Sequence, residues 1–109
     1  IKFKLADMEI RLQTARAQLF YNAQLIDKGI YDGMLGSVTK TCVSEMVFDV
    51  ANQALQIFGG YGYSREYPVE KLLRDARIFS LFEGTNEIQR MIIGGTLVPK
   101  RETKKSKIE

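Results

Sequence analysis

The chain has 109 residues, 45% of them hydrophobic, with one cysteine, Cys42, and no histidine. This fits one domain with a real core, excludes an internal disulfide, and removes both the commonest metal ligand and the commonest general base near pH 7. Acid–base chemistry then falls to carboxylates, Tyr, Lys or Cys42, and no metal site is expected. The formal charge of +3 resides in residues 100–109, with five basic and two acidic side chains, while the remainder sums to zero. The basic balance therefore reports a solvated tail over residues 99–109, not a face for nucleic acid. No apolar run is long enough to span a membrane.

In chain order, residues 2–28 read as one long helix. Leu5, Met8, Leu12, Ala15, Leu19, Asn22 and Ile26 follow three- and four-residue steps, the seam of a helix packed nearly antiparallel in a bundle. Lys4, Asp7, Arg11, Gln18 and Gln24 are assigned to the opposite face, and Gly29 is the stop. Residues 31–36 read as a loop, with Ser37 as N-cap of a second helix running to about Phe58. That helix carries two apolar stripes, Val43, Val47, Val50, Ala54 and Ile57 on one and Phe48, Ala51, Leu55 and Phe58 on the other. It is expected to be buried between neighbours. Glu45, Asp49, Asn52 and Gln56 form its polar line, either a solvated face or, at Gln56, a contact to a ligand or neighbouring subunit.

Gly59-Gly60-Tyr61-Gly62-Tyr63 closes the second helix, with Gly59 or Gly60 as cap. Three glycines in so short a run point to close backbone approach, a phosphate being one candidate. A dinucleotide fingerprint, however, follows a strand and opens a helix, whereas this cluster follows a helix. A Rossmann reading is rejected. Pro68 opens a third helix with Val69, Leu72, Leu73 and Ala76 inward, and Arg74, Asp75 and Arg77 lie close enough in sequence to pair. A fourth helix runs from Thr85 to about Leu97 with Ile88, Met91 and Ile92 inward, loosened at Gly94-Gly95 and ended by Pro99. No segment alternates with period two. The chain is expected to be all-α, an up-and-down helical bundle.

The stretch with chemistry in it is Leu81-Phe82-Glu83-Gly84-Thr85-Asn86-Glu87-Ile88-Gln89-Arg90. Glu83 sits on the turn between two helices, Gly84 supplies backbone freedom, and Thr85 is the N-cap. Ile78, Phe79, Leu81 and Phe82 precede it, and a carboxylate in apolar surroundings gains the basicity that general-base chemistry needs. The plain alternative is an acidic residue placed beside a favourable helix dipole.

The order of three segments resembles the C-terminal signature of the acyl-CoA dehydrogenase family. They are Gln56-Ile57-Phe58-Gly59-Gly60-Tyr61-Gly62-Tyr63, then residues 66–76 from Glu66-Tyr67-Pro68-Val69-Glu70 to Arg74-Asp75-Ala76, then residues 82–90. The resemblance covers residues 3–98. It implies residues 1–98 as part of that family's C-terminal helical bundle, beginning at its second helix, with an N-terminal helical domain and a β-domain preceding it in the whole flavoenzyme.

By the same resemblance, Glu83 falls on the base that removes the α-proton of an acyl-CoA while the β-hydrogen leaves as hydride to FAD, giving the trans-2-enoyl-CoA. Gly84 adjoins the substrate. Thr85, Asn86 and Glu87 fall where relatives contact the adenosine part of FAD, and Gln56, Ile57, Phe58, Gly59 and Gly60 where they touch the FAD of a neighbouring subunit. The resemblance further implies electron-transfer flavoprotein as electron acceptor and a homotetramer. The expected location is a bacterial or archaeal cytoplasm or the mitochondrial matrix. The rival readings are a non-catalytic helical interaction module on the same scaffold and an acyl-CoA oxidase relative. Glu83, in place of Gly or Ala, favours the dehydrogenase.

Overall fold

A computed structural model describes residues 1–99; the basic tail expected over residues 99–109 lies, beyond Pro99, outside the described residues. The elements are α1 (Lys2–Asp27), α2 (Gly33–Phe58), a 3₁₀ turn (Gly59–Tyr63), α3 (Val69–Arg77), a second 3₁₀ turn (Ile78–Ser80) and α4 (Asn86–Leu97). No strand occurs among the described residues, so the all-α expectation holds. The bundle is organised around α2, which packs on α1, α3 and α4.

The termini of α1 and α4 follow the sequence reading. Gly29 ends α1 at φ 80°, with Gly29 N–H donating to Ile26 O and Ile30 N–H to Leu25 O, both at 2.9 Å. That pair of bonds closes a Schellman cap, which needs a left-handed residue at this position. Thr85 caps α4 by accepting from Ile88 N–H at 3.2 Å. Gly94 and Gly95 do not interrupt α4, which continues to Leu97 with Val98 N–H donating to Gly94 O.

The start of α2 departs from the expectation. The cap is Asp32, not Ser37: Asp32 Oδ1 accepts from Met34 N–H at 2.9 Å and Leu35 N–H at 3.2 Å. Gly33 and Gly36 are therefore helical. A carboxylate that satisfies two free N–H groups and complements the helix dipole outweighs the weak helix propensity of two glycines. Ser37 is buried one turn inside.

The buried face of α2 is small and polar where large apolar residues were expected. Ser37, Thr39, Thr41 and Ser44 are buried, while Val43, Val47 and Val50 are half-buried and Phe58 is exposed. Thr39 Oγ1 donates to Leu35 O at 2.8 Å and accepts from Gln18 Nε2 of α1 at 3.2 Å. Arg11 of α1 pairs with Asp49 of α2 at 3.1 Å. Arg11 and Gln18 thus face α2 and not the opposite side. The expected α1 seam is only partly right. Ala15 is buried and Met8, Leu12 and Asn22 are half-buried, but Leu5, Leu19 and Ile26 are exposed. Leu12, Ala15 and Leu19 nevertheless line a cleft with Val43 and Met46 of α2, so the middle of the seam faces α2 while Leu5 and Ile26 are left uncovered.

The inward face of α3 is largely as expected, with Val69 and Ala76 buried and Leu73 half-buried, and only Leu72 exposed. The face of α4 departs from the expectation. On α4 the buried residues are Asn86 and Gln89, whereas Ile88, Met91 and Ile92 are exposed. α4 meets α2 through its polar edge and leaves its apolar face open. The Arg74, Asp75 and Arg77 cluster does not pair internally. Arg74 pairs with Glu70 at 2.7 Å, Lys71 with Asp75 at 3.5 Å, and Arg77 bonds Ser80 Oγ and stands 5.8 Å from the Phe48 ring. One-turn spacing explains the first two, since residues four apart share a helix face.

Candidate active-site turn

The segment between the second 3₁₀ turn and α4 is built on two successive left-handed residues. Glu83 has φ 55° and Gly84 has φ 82°. For glycine this conformation is free of steric cost, but for glutamate it is uncommon and must be held by its surroundings. The surroundings hold it at both carbonyls. Gln89 Nε2 donates to Glu83 O at 3.1 Å, and Lys40 Nζ donates to Gly84 O at 2.9 Å. Lys40 Nζ also reaches Asn86 Oδ1 at 2.7 Å, and Asn86 Nδ2 donates to Ser44 Oγ at 3.1 Å. Ser44 Oγ in turn donates to Lys40 O at 2.6 Å. Asn86 is 4% exposed and Ser44 5% exposed, so this is a buried polar knot beneath an exposed turn.

The Glu83 residue itself is exposed. So are Ile78, Phe79, Leu81 and Phe82, with Phe79 and Phe82 stacked edge to face at 5.3 Å. The expected apolar enclosure of Glu83 is absent from the described residues, because α2 and α4 cover the segment from one side only. The acidic side chain thus stands on a clamped turn, flanked by apolar residues open to a ligand. Among the described residues the Glu83 N–H has no hydrogen-bond acceptor, which leaves it available to a ligand oxygen.

The other expected residues divide into two groups. Thr85 and Glu87 stand at the start of α4 beside Glu83, where the first-turn N–H groups of Asn86 and Glu87 have no acceptor among the described residues. A helix N-terminus of this kind accommodates phosphate or polar nucleotide groups. Asn86 is different. Its side chain bonds Lys40 and Ser44 beneath the turn, while its backbone N–H is one of those open at the start of α4. Gln56, Ile57, Phe58, Gly59 and Gly60 lie at the far end of α2. From Lys40, which touches the turn, to Gln56, the helix rises about 24 Å. Gln56, Phe58, Gly59 and Gly60 are exposed there and Ile57 is half-buried. The two groups do not form one pocket on one copy of the chain.

The glycine cluster also resolves into separate causes. Gly59 has φ 63° as α2 ends. A Cβ at Gly62 would lie 2.7 Å from Leu55 O and 2.9 Å from Phe58 Cβ. The close approach inferred from the cluster is thus to the last turn of α2, and no phosphate is needed to explain it. Gly60 has open space around it. Beyond this turn, Leu55, Tyr63, Arg65, Glu70, Leu73 and Arg74 surround an open cleft. There the hydrogen-bonded Arg74 guanidinium holds the Glu70 carboxyl below its ordinary range, and Glu70 raises Arg74.

Lys40, Ser44 and Gln89 were not singled out from the sequence. A signal was present: Lys40 and Ser44 are one turn apart on α2, and Asn86 and Gln89 are three apart on α4. Two matched polar pairs on helices read as apolar mark a polar contact between them.

Among the described residues the protein is thus a helical domain with a carboxylate on a clamped left-handed turn. The family model for the C-terminal domain of acyl-CoA dehydrogenases matches residues 1–98. The chain belongs to the acyl-CoA dehydrogenase family, as its C-terminal helical domain. It is 47% identical over 98 residues to an acyl-CoA dehydrogenase of Bacillus subtilis, covering 90% of this chain and 26% of that protein. It is similar to the solved butyryl-CoA dehydrogenase of Megasphaera elsdenii, with a TM-score of 0.86 and 42% identity, covering 90% of this chain and 26% of that one. A structure from work on the electron transferring flavoprotein of Acidaminococcus fermentans also matches with a TM-score of 0.86, at 33% identity, over 91% of this chain and 26% of that chain. The chain spans about a quarter of the length of the relatives it matches. No helix among the described residues is long and apolar enough to cross a membrane.

Proposed function

We propose that this chain acts within an FAD-dependent acyl-CoA dehydrogenase that converts an acyl-CoA thioester to its trans-2-enoyl-CoA, with Glu83 as the base for the α-proton. The observation that carries the reading is the Glu83 carboxylate, exposed on a left-handed turn whose two carbonyls are held by Gln89 and Lys40. An α-proton of a thioester is a weak acid, and its removal needs a positioned base and a donor for the enolate oxygen. The Glu83 carboxylate supplies the first. The unpartnered N–H of Glu83 supplies the second, on the same residue and the same rigid turn. Gly84 adjoins the substrate by family resemblance, and Phe82 would exclude water once substrate covers it.

FAD, when bound, supplies the acceptor for the β-hydrogen. Thr85, Glu87 and the free N–H groups at the start of α4 fit the polar adenosine end of such a cofactor. Gln56, Ile57, Phe58, Gly59 and Gly60, at the distant end of α2, fit a second cofactor held by a neighbouring copy. That division favours a homo-oligomer, a tetramer by family resemblance, with electron-transfer flavoprotein as the electron acceptor. The expected setting is a bacterial or archaeal cytoplasm or the mitochondrial matrix.

The test is direct. The full-length protein, mixed with butyryl-CoA without oxygen, is expected to lose its oxidised-flavin absorbance while one equivalent of enoyl-CoA forms per flavin. Absence of bound flavin, or unchanged absorbance with butyryl-CoA and with longer acyl-CoAs, would contradict the proposal.

A further inference from the structure

The Lys40–Asn86–Ser44 knot lies beneath the turn that carries Glu83 and bonds it directly through Lys40. We infer that Lys40, acting together with Gln89, is a positioning residue for Glu83: the two side chains fix the peptide planes on either side of Gly84 and so aim the carboxylate. The inference deepens the reading of Glu83 as the base and rests on it.

Three observations carry it. First, Glu83 and Gly84 both occupy the left-handed region, and glutamate does not remain there without external restraint. Second, the restraint falls on the two carbonyls that define the turn. Gln89 Nε2 holds Glu83 O, in the peptide before Gly84, and Lys40 Nζ holds Gly84 O, in the peptide after it. Those bonds fix the chain after the Glu83 Cα, and Phe82 N–H, donating to Ile78 O at 3.0 Å, holds the chain before it, so the Glu83 Cα–Cβ bond is restrained from both sides. Third, the anchor is itself immobilised. The Lys40 ammonium is shared with Asn86 Oδ1, and buried Ser44 links the Asn86 amide back to the Lys40 carbonyl. A bond to an ionised donor is about twice as strong as a neutral one, and a buried network of satisfied groups has few alternative arrangements.

The choice of residues follows from reach and chemistry. The donor must cross from α2 to the turn and serve two acceptors at once. An ammonium has three donors on a long stem and does both. A Cβ at Gly84 would lie 2.9 Å from Gln89 Nε2, so the smallness of Gly84 also permits the second clamp. Misplacement of a reacting group by about 1 Å can cost on the order of 10²-fold in rate. A loosened turn is therefore expected to affect the chemical step more than binding.

The experiment uses the full-length flavoprotein and Lys40→Met, Lys40→Arg, Gln89→Met and Glu83→Gln variants. Anaerobic bleaching of the bound flavin by butyryl-CoA is followed over a range of concentrations, with the rate expressed per flavin-containing molecule. Lys40→Met is expected to lower the limiting rate about 10- to 100-fold and to shift the half-saturating concentration less than about threefold. Lys40→Arg, which keeps an ionised donor, is expected to recover most of that loss. If the network were only a helix–helix tie, Lys40→Met would lower the melting temperature or flavin content while each flavin-containing molecule bleached at the normal rate. That result overturns the inference.

Should Lys40→Met fail to fold, Gln89→Met decides. It releases Glu83 O and the longer 3.4 Å bond to Gly84 O but leaves the Lys40, Asn86 and Ser44 bonds in place, and it is expected to slow bleaching at least about fivefold. Full speed in that variant also overturns the inference. Glu83→Gln separates the two claims. A normal rate there removes the reading of Glu83 as base. A slow Glu83→Gln beside a normal Lys40→Met removes the positioning role alone.

Discussion

Glu83→Gln in the full-length enzyme is expected to slow flavin reduction by acyl-CoA roughly 10²- to 10⁴-fold, the usual contribution of a positioned general base. Glutamine keeps the size of the side chain. It is no worse suited than glutamate to φ 55°, and both clamping bonds fall on backbone carbonyls that the substitution does not touch. Folding and thioester binding are therefore expected to persist. These 109 residues contain no histidine to take over proton removal. Glu87, the nearest carboxylate in sequence, lies within the first turn of α4. If Glu83 served only to complement the α4 dipole, the change would cost less than about 1 kcal/mol of stability and leave turnover intact.

Gly62→Ala is expected to destabilise the domain through steric overlap. The new methyl would stand 2.7 Å from the Leu55 carbonyl oxygen and 2.9 Å from Phe58 Cβ. Both neighbours belong to the end of α2 and cannot rotate away, so the 3₁₀ turn must lift. Overpacking of this kind costs about 1–3 kcal/mol. The turn also leads to Tyr67, whose ring lies 5.6 Å from that of Phe58 and 6.0 Å from that of Tyr61, so the shift would propagate into this aromatic cluster. Gly60→Ala is the internal control, because its Cβ would meet nothing within 4 Å. Urea unfolding of the two variants is expected to show a clear loss for Gly62→Ala and a change within about 0.5 kcal/mol for Gly60→Ala. Equal midpoints would show that the turn does not pack as described.

What the sequence made legible, and what it did not, follows from the range of the forces involved. The stop at Gly29 and the cap at Thr85 are local features, decided within a few residues, and both are found. The fourth helix and its length were readable for the same reason. Ser37 failed as a cap because Asp32, a better acceptor, stood one turn earlier. The faces of α1 and α4 failed for a different reason. Apolar spacing put Ile88 and Ile92 inward and Arg11 and Gln18 outward, but Gln18–Thr39, Arg11–Asp49 and Asn86–Ser44 are bonds between residues far apart in sequence. Helix periodicity carries no information about such partners. Glu83 and Gly84 were legible as a turn from composition, while the clamp that makes the turn rigid was not. Lys40 lies 44 residues before Gly84, and its bond appears only when α2 and α4 are docked.

The central claim is that Glu83 removes the α-proton. The measurement that isolates this step is hydrogen exchange at C2 of an acyl-CoA analogue whose third carbon is replaced by sulfur, so that no β-hydride can leave. In deuterated buffer the wild-type full-length enzyme is expected to exchange the C2 hydrogens, and Glu83→Gln to bind the analogue with exchange slowed at least about 10²-fold. Exchange in Glu83→Gln at the wild-type rate would contradict the account and place the base on another residue.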